Sequence, residues 1–287
     1  MQKNTVTPPT ARLDRDALAS YWGRLSREHL ATSAEGWETI CFAGMPHWFN
    51  GFMARYQRKA FERLLQGESF SGARVLDLGT GVGRWARWYA AWRDASVVGI
   101  DIEPERLARA EILGGGPQYL RMPVDRLEFA DESFDVVNSV TVLQHVPYDA
   151  RRRALAEAAR VLRPGGRAVI FELTDVGDDA AHVFPWSADQ WLGACSANGL
   201  KPTKSVGDQY IPLLRLAKRV HATALGGGAR SDLDLLKGRL AAGTDRSALV
   251  ALRLLTIASY PIEEVLRFLP PAHARIRGFL LVKPAKR

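Results

Sequence analysis

Four groups of residues in this 287-residue chain have the types and spacing to do chemistry. Asp77-Leu78-Gly79-Thr80-Gly81-Val82-Gly83 sets alternating glycines between a short aliphatic run and a helical one. Glycine there lets backbone approach a ligand closely, and the N–H groups of the helix start can hold a carboxylate as readily as a phosphate. Asp101 follows Gly83 by 18 residues, where a carboxylate can accept both hydroxyls of a ribose. The third glycine of the dinucleotide fingerprint would fall at Arg84, so the loop departs from that pattern. The plainer reading is a tight turn beside a solvated acid. The other groups are titratable: His145 in Leu-Gln-His-Val, Glu172 near the end of an apolar run, and His47 in Gly-Met-Pro-His-Trp-Phe-Asn-Gly-Phe. Each has a structural alternative: a turn-capping histidine, a loop-partner carboxylate, and a staple in which Trp48 packs N-terminal helices onto the core.

The elements that must position these groups are legible from periodicity. Apolar residues at 52, 53, 56, 60, 61 and 64 mark a helix face, with Gly67 as its stop. Strands are expected at 73–79, 96–100, near 119, at 134–140, 167–173, 201–206 and 277–283. Helices are expected after Gly83, at 104–113 with proline in the first turn, and at 149–162. Ser187 and Gln190 have capping-box spacing. Alternation at this pace predicts a doubly wound α/β fold with a parallel sheet. The first twenty residues, with Pro8, Pro9 and mixed charge, are expected to form a tail. From about 213 to 271, helices broken by Gly226-Gly227-Gly228, Gly243, Pro261 and Pro270-Pro271 read as an insertion or lid.

The runs VLDLGTGVGRWA (75–86), VVGIDIEPERL (97–107), LEFADESFDVVNSVTVLQHV (127–146) and RRALAEAARVLRPGGRAVIFEL (152–173) resemble class I S-adenosylmethionine-dependent methyltransferases of small-molecule type. The resemblance covers about 74–206 and resumes at the last strand. It implies a Rossmann-like seven-stranded sheet with the last strand antiparallel, N-terminal helices (1–72) covering the acceptor, and a domain from 73 to 287. It also implies S-adenosyl-L-methionine as cofactor and S-adenosyl-L-homocysteine as product. In that frame Gly79, Thr80 and Gly81, after Asp77, pass under the methionine part, Asp101 holds the ribose, and Ile102 lies against the adenine. Val124 and Asp125 stand where the family reads the adenine edge, and Val140 offers backbone beside the methionine. Many relatives carry Asp-Ala where this chain has Pro123-Val124, so an aspartate contact to the adenine amine would come from Asp125 or be absent. His145 stands where relatives often carry a pocket histidine. Tyr21-Trp22 could cover a sulfonium by cation–π attraction, and His182 could face the same pocket.

In-line methyl transfer needs no metal, and positioning can supply up to roughly 7–11 kcal/mol. A base matters only where the acceptor loses a proton at attack. Two cysteines, Cys41 and Cys195, are too few for a disulfide framework or a four-ligand zinc site. The sequence shows no apolar leader of signal-peptide type and no spanning stretch, which reads as a cytoplasmic protein. A small-molecule acceptor leads, in bacterial secondary-metabolite or glycolipid biosynthesis. An RNA methyltransferase is the enzyme alternative, against which stands the lack of an appended RNA-binding module; a non-catalytic cofactor-binding interaction protein is the third. The net charge of +8 is concentrated: residues 207–287 carry 14 basic and 6 acidic groups, against 16 and 18 in 73–206. That surplus suits an anionic acceptor, an anionic membrane surface, or only a solvated helix face.

Overall fold

A computed structural model describes residues 12–30, 46–176, 180–208, 210, 246–266 and 268–285. Seven strands form one sheet in the order β3-β2-β1-β4-β5-β7-β6: β1 (Arg74–Leu78), β2 (Ser96–Asp101), β3 (Gln118–Arg121), β4 (Phe134–Val140), β5 (Leu162–Leu173), β6 (Lys201–Asp208) and β7 (Ile276–Val282). The first five are parallel to their neighbours, and β7 runs antiparallel between β5 and β6. The expected fold class is the one found. The central strands are buried on both faces, which is why they read as continuous aliphatic runs.

Helices cover both faces. On one, α5 (Tyr148–Val161) and α6 (Ala188–Ala197) bury Leu155, Ala158, Trp191 and Cys195 against Leu76, Val137 and Ile170. On the other, α2 (His47–Leu64), α3 (Arg84–Ala90) and α4 (Pro104–Leu113) bury Phe61, Leu64, Trp85, Tyr89 and Leu107 against Val75, Val136 and Val169. The Ser187–Gln190 capping box is present in both directions. Trp191 is fully buried, and its indole N–H donates to Leu173 O at 2.9 Å, so a large aromatic enters the core with its polar atom satisfied.

Two expectations need correction. The N-terminal tail gives way to helix α1 at Arg15–Leu30, because Asp14 Oδ1 accepts from Ala17 N (2.8 Å) and starts the helix among residues assigned to the tail. Pro261 does not break the later segment: α7 runs through it from Arg246 to Leu266. The glycine breaks at 226–228 and 243 lie outside the described residues.

Gly278 on β7 faces the ring of Phe171, where an added Cβ would lie 2.4 Å from Cδ2 and 3.0 Å from Leu64. Gly278→Ala is expected to cost about 1–3 kcal/mol by overpacking, read as a lower urea midpoint with unchanged far-ultraviolet dichroism. A midpoint equal to that of the parent would show that the sheet and α2 part easily here.

Candidate functional site

The glycine loop turns off β1 directly beside the ends of β2 and β4. Gly79 and Gly81 have φ of 60° and 56°, in the left-handed region. A Cβ on Gly79 would sit 2.3 Å from Val142, so the loop passes against the segment after β4 with no room for a side chain. A Cβ on Gly81 would meet nothing within 4 Å. The backbone there borders open space, as a ligand-holding loop must.

Beneath the loop, Asp77 accepts from Thr80 Oγ1 (2.7 Å) and from Asn138 Nδ2 (2.6 Å), and Tyr89 OH stands 3.4 Å from Asn138 Oδ1. Burial pushes Asp77 up to about 6 against those two hydrogen bonds. Thr80 N donates to Ile100 O (2.8 Å), tying the loop to β2. Asp101 accepts from Gly81 N at Oδ2 (2.8 Å) and from Glu103 N at Oδ1 (2.9 Å). A carboxylate has about four acceptor positions, so two remain for a diol. Ile102 is 40% exposed at the rim, a flat apolar contact in the open. Val124 and Val140 are buried. Asp125 is clasped by Arg15 of α1, whose Nη2 lies 2.7 Å from both carboxylate oxygens, and by Arg153 of α5 at 2.8 Å. Its carboxylate is spent on joining those helices.

Beyond β4 and β5 the chain gathers four rings. His182 stacks on Tyr21 (4.6 Å between centroids) and on His145 (5.3 Å), and Trp22 meets His145 edge-on at 4.9 Å. Gln144 Oε1 accepts from Leu173 N (2.8 Å), which aims the Gln144 amide nitrogen at His145 Nε2 (3.0 Å). His145 Nδ1 lies 3.0 Å from His182 O and must donate to it. Both ring nitrogens are thus bonded in the neutral tautomer. Glu172 is fully buried and accepts from Ser139 Oγ (2.9 Å) and from the amides of Val142 (3.1 Å), Leu143 (3.0 Å) and Gln144 (3.1 Å). Burial raises its pKa while those donors favour the carboxylate. It holds the loop and is not open to an acceptor, the loop-partner alternative of its sequence reading. His47 is exposed at the first residue of α2, and Trp48 packs with Phe49, Met53 and Leu252. The ring cluster thus joins His145 to Tyr21, Trp22 and His182, while His47 has no ring contact with it among the described residues.

Three participants escaped the sequence reading. Asn138 looked like one residue of a strand. Arg106, one turn into α4, donates to Ser26 Oγ (2.7 Å), lies 5.3 Å from the Trp22 ring, and is held near Asp101 and Glu103. Arg151 sits in an Arg-Arg-Arg run that looks solvated, yet it is fully buried and donates to the carbonyls of Leu143 (2.7 Å), Gln144 (3.2 Å) and Val146 (3.0 Å). Burial pulls it down to about 10, opposed by the nearby Glu172 charge.

A methyltransferase-domain family profile matches residues 76–170, the stretch that carries this geometry. That match and the curated relatives support a class I S-adenosylmethionine-dependent methyltransferase domain over this stretch. Over 135 residues the methyltransferase domain is 34% identical to methyltransferase GfsG of Streptomyces halstedii, covering 44% of this chain and 47% of that one. Over 125 residues it is 36% identical to the malonyl-[acyl-carrier protein] O-methyltransferase of Pectobacterium atrosepticum, covering 42% and 47%. The chain thus spans about half the length of the curated relatives it matches. In fold it is similar to the [4+2]-cyclase SpnF, with a TM-score of 0.60 at 18% identity over 97% of this chain and 99% of that one. The likeness to SpnF extends beyond the domain to the added helices and is one of fold alone.

Two expectations test the methyltransferase site without substrate. Asp77 has a folded-state pKa above its unfolded value near 4, so its contribution is full below that pH and is lost as pH rises through about 6. Relative to Asp77→Asn, the parent is expected to lose up to about 3 kcal/mol between pH 4 and 7, measured by paired urea titrations; parallel pH profiles would place the Asp77 pKa elsewhere. Arg151→Met leaves Glu172 buried beside unpaired carbonyls and is expected to cost about 3–5 kcal/mol, against under about 0.5 for Arg152→Met at the exposed neighbour. Equal effects of the two would remove Arg151 from the interior.

Proposed function

We propose that this protein binds S-adenosylmethionine on the loop at 79–81 and transfers its methyl group to a small molecule held against Tyr21, Trp22, His145 and His182. The cofactor, when bound, supplies an electrophilic methyl whose sulfur–carbon bond breaks as the acceptor's lone pair takes the carbon. Asp101 receives the ribose hydroxyls on its two remaining acceptor positions, and Ile102 and Val124 flank the adenine. Gly79, Thr80 and Gly81, with the backbone at Val140, run along the methionine, and Asp77 braces the loop through Thr80. Asp125 serves as a latch for α1 and makes no adenine contact.

The observation that carries the small-molecule reading is the fastening of α1 across the carboxyl ends of the strands. Arg15 pairs with Asp125, Leu13 N donates to Ala181 O (3.0 Å), Arg12 reaches Ala180 O, and Arg109 donates to Leu30 O (3.2 Å). A roof tied on three sides favours a compact acceptor over a polymer laid along an open groove. The neutral, doubly bonded His145 forms a wall, and positioning within that wall carries the transfer. Kinship with GfsG and an acyl-carrier-protein O-methyltransferase supports a place in bacterial biosynthesis of secondary metabolites or lipid-like compounds.

Calorimetry with S-adenosylhomocysteine tests the cofactor half. Asp101→Ala is expected to lose about 1.5–3 kcal/mol of affinity, whereas His182→Ala, on the acceptor side, stays within about twofold of the parent. Unchanged binding in Asp101→Ala would remove the ribose assignment. Salt-sensitive RNA binding with methyl incorporation into RNA would overturn the small-molecule reading.

A further inference from the structure

Helix α7 is apolar on its outer face as well as on its inner one. At 100° per residue, Val250, Leu254, Ile257 and Val265 fall within an arc about 80° wide, and they are 58%, 62%, 61% and 67% exposed. Phe268, just past the helix, is 77% exposed. The opposite arc holds Leu252, packed on the Phe49–Met53 cluster, beside Thr256, Ser259 and Glu263, all three buried. Their inward position is satisfied locally: the hydroxyls of Thr256 and Ser259 donate to Leu252 O and Leu255 O at 2.7 Å, and Glu263 accepts from Tyr210 N at 3.3 Å. A soluble surface helix turns polar residues toward water, which the outer face of α7 does not.

The charges around the stripe point to what covers it. Arg246 and Arg253 are exposed along one flank. The other charged residues of α7 are two acids, Glu263 and Glu264. Glu263 is buried and Glu264 is paired with Lys59 of α2, so neither acid opposes an anion approaching the stripe. An apolar row with cations beside it and, among the described residues of α7, no unpaired acid suits a helix lying in the interface of an anionic bilayer. The span rule is not met: among the described residues no helix is long and apolar enough to cross a membrane.

We propose that the outer face of α7 docks this protein onto an anionic lipid surface, with Val250, Leu254, Ile257, Val265 and Phe268 entering the acyl boundary and Arg246 and Arg253 at the headgroups. The docking stands on α7 alone and is independent of the methyl-transfer reading.

Flotation of the full chain with vesicles tests it. Binding is expected to phosphatidylcholine vesicles containing phosphatidylglycerol, at least about tenfold weaker to phosphatidylcholine alone, and weaker as salt rises. Leu254→Glu with Ile257→Glu is expected to lose at least about tenfold in binding while its thermal midpoint and S-adenosylhomocysteine affinity stay at parent values. Three results overturn the proposal: no flotation with anionic vesicles, equal binding to both vesicle types, or undiminished binding by the double variant. A dimer in solution that the double variant splits would also overturn it, assigning the stripe to a second copy of the chain.

Discussion

The segment from Val142 to Val146 is held between two buried charges of opposite sign, and the site depends on that clamp. Glu172 takes three successive amide hydrogens of the segment, and Arg151 takes three of its carbonyls. Neither ion would survive burial alone, since an unpaired charge in the interior costs several kcal/mol. Both are tolerable because the short turn between them presents N–H groups to one and C=O groups to the other. The rigidity this gives is transmitted outward: Val142 is pressed against Gly79, and Gln144 is bonded to β5 and orients His145. The strain of the arrangement shows next door, where Thr141 has φ of 56°, a left-handed conformation that β-branched residues rarely adopt.

A second constraint links the two ends of the site. Asp125, expected beside the adenine, joins α1 to α5, and Arg106 joins α1 to the acids following β2. Helix α1 is therefore attached to the elements that would hold adenosine and also supplies Tyr21 and Trp22 to the ring cluster. Cofactor side and acceptor side share one cover. A change in how α1 sits would be felt at both.

The sheet and the glycine-loop region were legible because the central strands are buried on both faces and read as unbroken aliphatic runs, and because glycines at 79, 81 and 83 mark a backbone that side chains cannot follow. Arg151 was not legible, for its neighbours Arg152 and Arg153 are exposed and composition cannot say which of three arginines turns inward. The fate of Asp125 was hidden for the same kind of reason: its partners lie 110 and 28 residues away, and only the docking of α1 brings Arg15 to it. The tail expectation failed on a short-range signal, the aspartate cap at Asp14, masked by prolines six residues upstream. Pro261 was read as a break although a proline within a helix removes one hydrogen bond and need not end it when tertiary packing holds both sides, as Lys59 with Glu264 and Tyr56 with Tyr260 do here.

Charge distribution ties the parts together. Asp77, Asp101 and Glu103 crowd the glycine loop closely enough that each of the outer two is disfavoured by Asp101. Arg106, whose own charge is disfavoured by burial, and Arg121 offset the charge on Glu103. The loop region is thus an electronegative spot in a core of net charge −2, read from 16 basic and 18 acidic residues over 73–206. Under the proposed cofactor assignment, a cationic sulfonium would gain from that field and a neutral thioether would not. The positive surplus of the chain is carried by residues 207–287. Separating the two signs along the chain would let one part favour a cation while another meets an anionic surface, as proposed above.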